Sequence, residues 1–342
     1  MVKEWNLLRA IACLTIVFLH STTHIKYILG SDIFQDISQY RVLLVYATPA
    51  FVVLSEIILA NKYHNRIPDG FFRKRAKYIF GPFIVFAIID VLVQAYKQGW
   101  DYDIGGNVLD NLLGNFQGYF ILIIFQFYVL HYLIVRFQWS VKKLLPISIL
   151  VMMIHLSLLN SGISFFVEYH AELRLPFTAW FGYFTTAFLI GKHYDQVKEF
   201  LREYKWLTLV FVFFSAYLIV ASYESGYIVL SSRRTDLLPF VISICLAVIA
   251  WGQLFPNLKI VNLISNYSLG IYLIHWQVQQ LIYPYMTEIF PGITTAILGL
   301  FFLSFTITLV LIKLISLLPF GEYIVGKTKR KFPAATKELK AS

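Results

Sequence analysis

Charge is scarce in this 342-residue chain: Asp, Glu, Lys and Arg make up 14% of it, against about 25% in an ordinary soluble domain. A surface wholly in water is thereby excluded, and so is disorder, which needs low hydrophobicity and high net charge. Cysteine is nearly missing. Cys13 and Cys245 both lie in apolar stretches, and a disulfide framework or a zinc centre would need clustered ligands, so no metal site is expected. The chain has no P-loop, no G-x-S-x-G elbow and no H-E-x-x-H pair, which argues against ATP-driven transport by this chain alone and against the hydrolase chemistries those motifs carry. It also lacks an internal repeat of the kind that proton-coupled transporters show.

Apolar residues are abundant instead, at 58%, with 18% aromatic and a mean hydropathy of +0.67. A transmembrane helix needs about 20 mostly apolar residues. Ten such stretches occur, near 5–25, 40–60, 77–96, 118–136, 144–160, 175–191, 206–222, 237–254, 262–282 and 291–318. The expected fold is an all-α integral membrane protein, a bundle of about ten transmembrane helices. With the N-terminus inside, the inner segments hold 21 of the 29 Lys and Arg and the outer segments six. This asymmetry places both termini in the cytoplasm. It also accounts for the net charge of +10 without a nucleic-acid partner. Residues 1–325 form the membrane domain, and 326–342 read as a basic cytoplasmic tail.

Polar groups inside such spans are costly, so they mark function or a specific partner. Arg9 and His20 stand eleven residues apart on the first span. That is about three turns, so both emerge from one face roughly 16 Å apart. Either they form an anion-binding cation below a titratable imidazole, or they are a snorkelling Arg and a structural His. In the second span Pro49 is expected to kink the helix and free a carbonyl. The span continues to Ser55 and Glu56, an acid that would either pair with a nearby Arg or be held protonated. Asp90 invites the same two readings. The run Arg73-Lys74-Arg75-Ala76-Lys77 is either a topology determinant or a cradle for a phosphorylated cytoplasmic ligand. His275 lies near mid-span in Tyr272-Leu273-Ile274-His275. Ahead of the sixth span, Glu168, His170, Glu172 and Arg174 offer a rim for a polar acceptor.

Taken together, these motifs resemble the acyltransferase-3 family of membrane O-acyltransferases. The likeness lies in Arg9 with His20 eleven residues on, in Pro49, Phe51 and Ser55, in Arg73 to Lys77 leading to Pro82, and in Tyr272 to His275. The chain departs from the family pattern at Glu56, where Gly is usual, and at Tyr78, where a strict R-x-x-R would place its second Arg. The resemblance implies transfer of an acetyl or succinyl group from cytoplasmic acyl-CoA, with no permanently bound cofactor, to hydroxyls of an extracytoplasmic glycan. Within the family the chain looks similar to members linked to poly-β-1,6-N-acetylglucosamine in biofilms, so polysaccharide export without catalysis is the alternative. The implied roles are catalysis by His20 and His275, donor binding by Arg9, Arg73 and Arg75, and support from Ser55, Glu56 and Arg174. The implied partners are acyl-CoA, the glycan, the bilayer, and a glycan synthase complex or a second copy of the chain.

Overall fold

Backbone polar groups in hydrocarbon must be satisfied within their own segment, which favours helix for long apolar runs. The computed structural model describes residues 2–30, 35–99 and 101–328, and all regular elements among these residues are helical. Residues 329–342, most of the expected tail, lie outside the described residues. The principal helices are α1 (Lys3–Leu29), α2 (Ala47–Tyr63), α3 (Gly81–Gln98), α4 (Phe120–Phe137), α5 (Val141–Leu159), α6 (Phe181–Lys192), α7 (Lys205–Glu224), α8 (Leu237–Gly252), α9 (Lys259–Ile282) and α10 (Ile293–Leu317).

Among the described residues seven stretches are long and apolar enough to cross a membrane: Lys3–Leu29, Ile37–Tyr63, Phe71–Gln98, Ile104–Phe137, Val141–Leu159, Lys205–Glu224 and Ile293–Leu317. Together they make the chain a multi-pass membrane protein. The three remaining expected spans map onto α6, α8 and α9. α6 has 12 residues and α8 has 16. α9 is long enough but carries Ser265, Ser268, His275, Gln277, Gln279 and Gln280, all buried. Its polar side chains face other helices: Gln279 Nε2 donates to Val17 O, Ser21 Oγ and Ser304 Oγ, and Gln277 Nε2 donates to Asp90 Oδ1. Asp90 also accepts from Asn111 Nδ2, so its carboxylate is engaged in hydrogen bonds between helices rather than in an Arg pair. α7 lies at the periphery, with Phe213 72% and Tyr217 68% exposed, as suits a helix facing acyl chains.

Lipid is as apolar as leucine, so close packing and interhelical hydrogen bonds hold such a bundle together. A Cβ on Gly191 of α6 would stand only 2.4 Å from the Ile57 carbonyl oxygen of α2, so glycine is what lets these two helices touch. The break expected at Pro49 is present. A helix ends at Arg41, a 3-10 turn covers Val42–Leu44, and α2 restarts at Ala47. Proline lacks the N–H that would have bonded the carbonyl four residues back, at Val45. Ahead of α3, Ala76–Phe80 forms one turn of π-helix. There Pro82 cannot satisfy the carbonyl of Tyr78, and the wider turn re-aims the basic residues that precede it.

Candidate active site

Arg9 and His20 do share α1, and the helix delivers them to two levels. Near the Lys3 end of the bundle is a cavity of about 440 Å³. Arg9 forms part of its wall, and its Nη1 donates to Ser265 Oγ (3.1 Å). Ser265 donates in turn to Asn6 Oδ1, and Asn6 donates to Asn262. The mouth carries Lys74, Arg75 and Lys327, with Asp69 as its single acid. The Arg75 guanidinium lies 5.1 Å from the ring centroids of both Phe71 and Tyr128, which orients it without neutralising it. Arg9 and Arg75 form no ion pair among the described residues. The shaft above is lined by Ser55 and Ile58 of α2, Ile121 and Ile124 of α4, and Ser268 of α9.

Phe51, Phe120 and Tyr272 close the inner end. The Phe120 and Tyr272 rings are 4.0 Å apart and those of Phe51 and Tyr272 5.7 Å. Behind this layer are the histidines. The Tyr272 and His275 rings are 5.8 Å apart, His275 and His20 5.2 Å, and His20 and Trp276 4.9 Å. His275 is fully buried. Its Nδ1 sits 3.0 Å from Ile271 O, a pure acceptor, so Nδ1 carries the proton and Nε2 keeps its lone pair. That Nε2 has no partner among the described residues. Neither histidine lines the cavity.

The sequence-based candidates therefore separate into groups. Arg9, Arg75 and Ser55 line one cavity, and His20 and His275 form a pair behind its closed end. Arg73 is exposed and outside the wall, and Lys74 takes the place expected for it. Of the two readings the sequence left open for Glu56, an Arg partner is not found among the described residues. Glu56 faces His131, 2.7 Å from Oε1 to Nδ1, with both side chains buried. The histidine that meets Glu56 comes from α4, so the pair ties α2 to α4. Arg174 lies at the opposite end of the bundle, 4.9 Å from the Tyr119 ring. His170 stands near it, and burial together with the charges of Arg233 and Arg174 holds that imidazole below its ordinary range. Tyr128, Lys327 and Ser265 of α9 were given no site role from the sequence, and Lys74 entered only as part of the Arg73–Lys77 run. A signal for α9 existed: Ser265, Ser268, Tyr272, His275 and Gln279 recur at intervals of 3, 4, 3 and 4, the spacing of a single helix face.

A family model described as an acyltransferase domain matches residues 2–315. A Bacillus subtilis (strain 168) protein named a membrane-bound acyltransferase, YfiQ, is 34% identical over 291 residues, 80% of each chain. Proteins named poly-β-1,6-N-acetyl-D-glucosamine export protein are more distant. That of Staphylococcus aureus (strain N315) is 26% identical over 311 residues, 86% of each chain. That of Staphylococcus epidermidis is 26% identical over 310 residues, 86% of this chain and 85% of the relative. No solved structure matches.

Proposed function

Because the chain belongs to the acyltransferase-3 family, and is thus a membrane acyltransferase, we propose that it moves an acetyl or succinyl group from cytoplasmic acyl-CoA to hydroxyls of an extracytoplasmic polysaccharide such as poly-β-1,6-N-acetylglucosamine. In this reading α1 to α10 are ten spans, and the Lys3 end faces the cytoplasm. One observation carries it. A cavity with Arg9, Lys74, Arg75 and Lys327 around its mouth leads between apolar walls to an aromatic layer, with the paired histidines directly behind.

The chemistry follows from the parts. Guanidinium and ammonium groups at the mouth suit the phosphates of CoA. The narrow shaft suits an extended pantetheine arm that carries the thioester to the Phe51/Phe120/Tyr272 layer. Transfer then requires that layer to part, bringing the thioester carbonyl against the glycan hydroxyl beside His20 and His275. An imidazole lone pair takes the hydroxyl proton as the oxygen attacks the carbonyl. The tetrahedral intermediate collapses with loss of CoA thiolate, which leaves with that proton. The structure supports His275 in the proton-accepting set through its fixed tautomer. His20, beside it and half-buried, is the member with access to an acceptor.

Export without catalysis is the second reading, favoured by the names of the staphylococcal relatives. A polymer conduit needs a continuous polar path, whereas the described cavity ends on three aromatic rings.

The deciding experiment uses the purified full chain in nanodiscs with acetyl-CoA or succinyl-CoA and poly-β-1,6-N-acetylglucosamine oligosaccharides, with ester formation read by mass spectrometry. The reading expects transfer by the wild type and a loss of roughly 10²–10⁴-fold in His20→Ala, the usual contribution of general base catalysis. Full transfer by a folded His20→Ala protein would end the catalytic assignment.

A further inference from the structure

At the end of the bundle opposite Lys3, arginines from two separate loops converge on one ring. The Arg174 guanidinium lies 4.9 Å from the Tyr119 centroid and that of Arg233 5.9 Å. Each has a buried Nε–H with no hydrogen-bond partner. Among the described residues no carboxylate forms an ion pair with either: Glu172 is exposed and acts on Arg174 only through its field, without pairing with it. His170, held toward its neutral form by burial and by the same two charges, supplies no anion. Like charges gathered at one ring repel each other, and a partly buried cation without an ion-pair partner is unfavourable.

The chain nevertheless holds both firmly. His155 Nε2 donates to Leu173 O (2.8 Å) and Gln126 Nε2 to Leu175 O (2.9 Å), on either side of Arg174. Trp180 Nε1 donates to the carbonyl of Arg174 itself (3.0 Å). Arg233 is fixed through its own carbonyl, which accepts from Asn160 Nδ2 (3.2 Å), and through its neighbour Arg234, fully buried and forked onto Asp236 at 2.9 and 2.6 Å. Rigid placement of two cations without an anion describes a site prepared for one.

We propose that Arg174 and Arg233 bind a carboxylate at the extracytoplasmic mouth of the transfer path, contributed either by the free end of a dicarboxylic acyl group or by an acid group on the acceptor glycan. Paired guanidinium N–H groups match the two oxygens of a carboxylate. The location suits either source. Tyr119 precedes Phe120, whose ring packs on Tyr272, the residue between the cavity and His275. The pair thus stands on the far side of the aromatic layer. The proposal deepens the acyl-transfer reading and rests on it, and its test keeps the two apart.

Binding of free succinate and of succinamide to the full chain in detergent is measured by calorimetry. The expected result is binding of succinate alone, weakened tenfold or more in Arg174→Gln and Arg233→Gln and partly retained in Arg174→Lys and Arg233→Lys, at unchanged unfolding temperature. Equal behaviour of succinate and succinamide, or undiminished succinate binding in the double Gln variant, overturns the site. Transfer assays then identify the source. A tenfold fall confined to succinyl-CoA with a neutral glycan points to the acyl group. One confined to acetyl-CoA with a uronate-bearing glycan points to the acceptor. An equal fall that includes acetyl-CoA with a neutral glycan overturns the proposal. Absence of any transfer by the wild type defeats the acyl-transfer reading, and the calorimetry still decides the carboxylate site.

Discussion

Glu56 and His131 stand 75 positions apart in the chain and 2.7 Å apart in the fold. Removing one member of a buried pair strands the other in a dry interior, at a cost of about 3–5 kcal/mol. Glu56→Ala is therefore expected to lower the unfolding midpoint in detergent sharply and Glu56→Gln, which keeps a hydrogen bond, much less. Both should leave the acyl-CoA KM of the folded fraction unchanged. At the cavity mouth, Lys74 and Arg73 are adjacent in sequence but only Lys74 lines the wall. Lys74→Ala should raise the acyl-CoA KM by roughly tenfold, the equivalent of about 1.4 kcal/mol for one charge-assisted contact. Arg73→Ala should stay within about twofold, since its side chain lies outside the cavity wall. His170 gives a pH signature. Its imidazole binds protons less readily when folded, under burial and the charges of Arg233 and Arg174. The unfolded chain then takes up more protons below about pH 6.5. Stability is complete above that pH and declines as the pH falls through it, and His170→Gln should flatten that decline in unfolding curves recorded from pH 5 to 8.

Elements meet here through small residues and interrupted helices. Gly191 lets α6 lie against α2, where a Cβ would also press on Ala60 at 2.9 Å. Gly191→Val should cost about 1–3 kcal/mol or more, as overpacking does, and should disturb Ser55 and Phe51 on the other side of α2. Gly105 is exposed, and a Cβ there would meet only Asp103 at 3.8 Å. Gly105→Ala should be neutral or slightly stabilising, so the pair of variants separates packing from propensity in one thermal-unfolding series. Of the expected spans, most lie within a few residues of a helix. The sixth, expected at 175–191, begins late, with a 3-10 turn over Phe177–Trp180 before α6. Gln126 Oε1 accepts from the Phe177 backbone N–H at this entry (2.8 Å), a long-range contact that hydropathy does not register.

Across the whole molecule, topology sets which chemistry meets which compartment. Both native cysteines are buried, so the wild type should react poorly with maleimides. Single cysteines can then report sidedness. Under the proposed orientation Ser225→Cys is labelled in intact cells by a membrane-impermeant maleimide, and Lys142→Cys only after permeabilisation. The reverse pattern would turn the basic cavity mouth away from the acyl-CoA pool and undo the proposed direction of transfer.

Composition was enough to indicate a helical membrane protein, because hydrocarbon penalises charge and unpaired backbone wherever they occur in the chain. The spacing of Arg9 and His20 also sufficed to place them on one face, since helical pitch is a local property. The tertiary structure decided which groups share a space. It set Lys327 and Lys74 around one cavity, paired Glu56 with His131, placed the histidines behind an aromatic layer, and brought Arg174 and Arg233 to one tyrosine. These groups belong to helices and loops remote in sequence, and only packing, which no local pattern encodes, sets their distances.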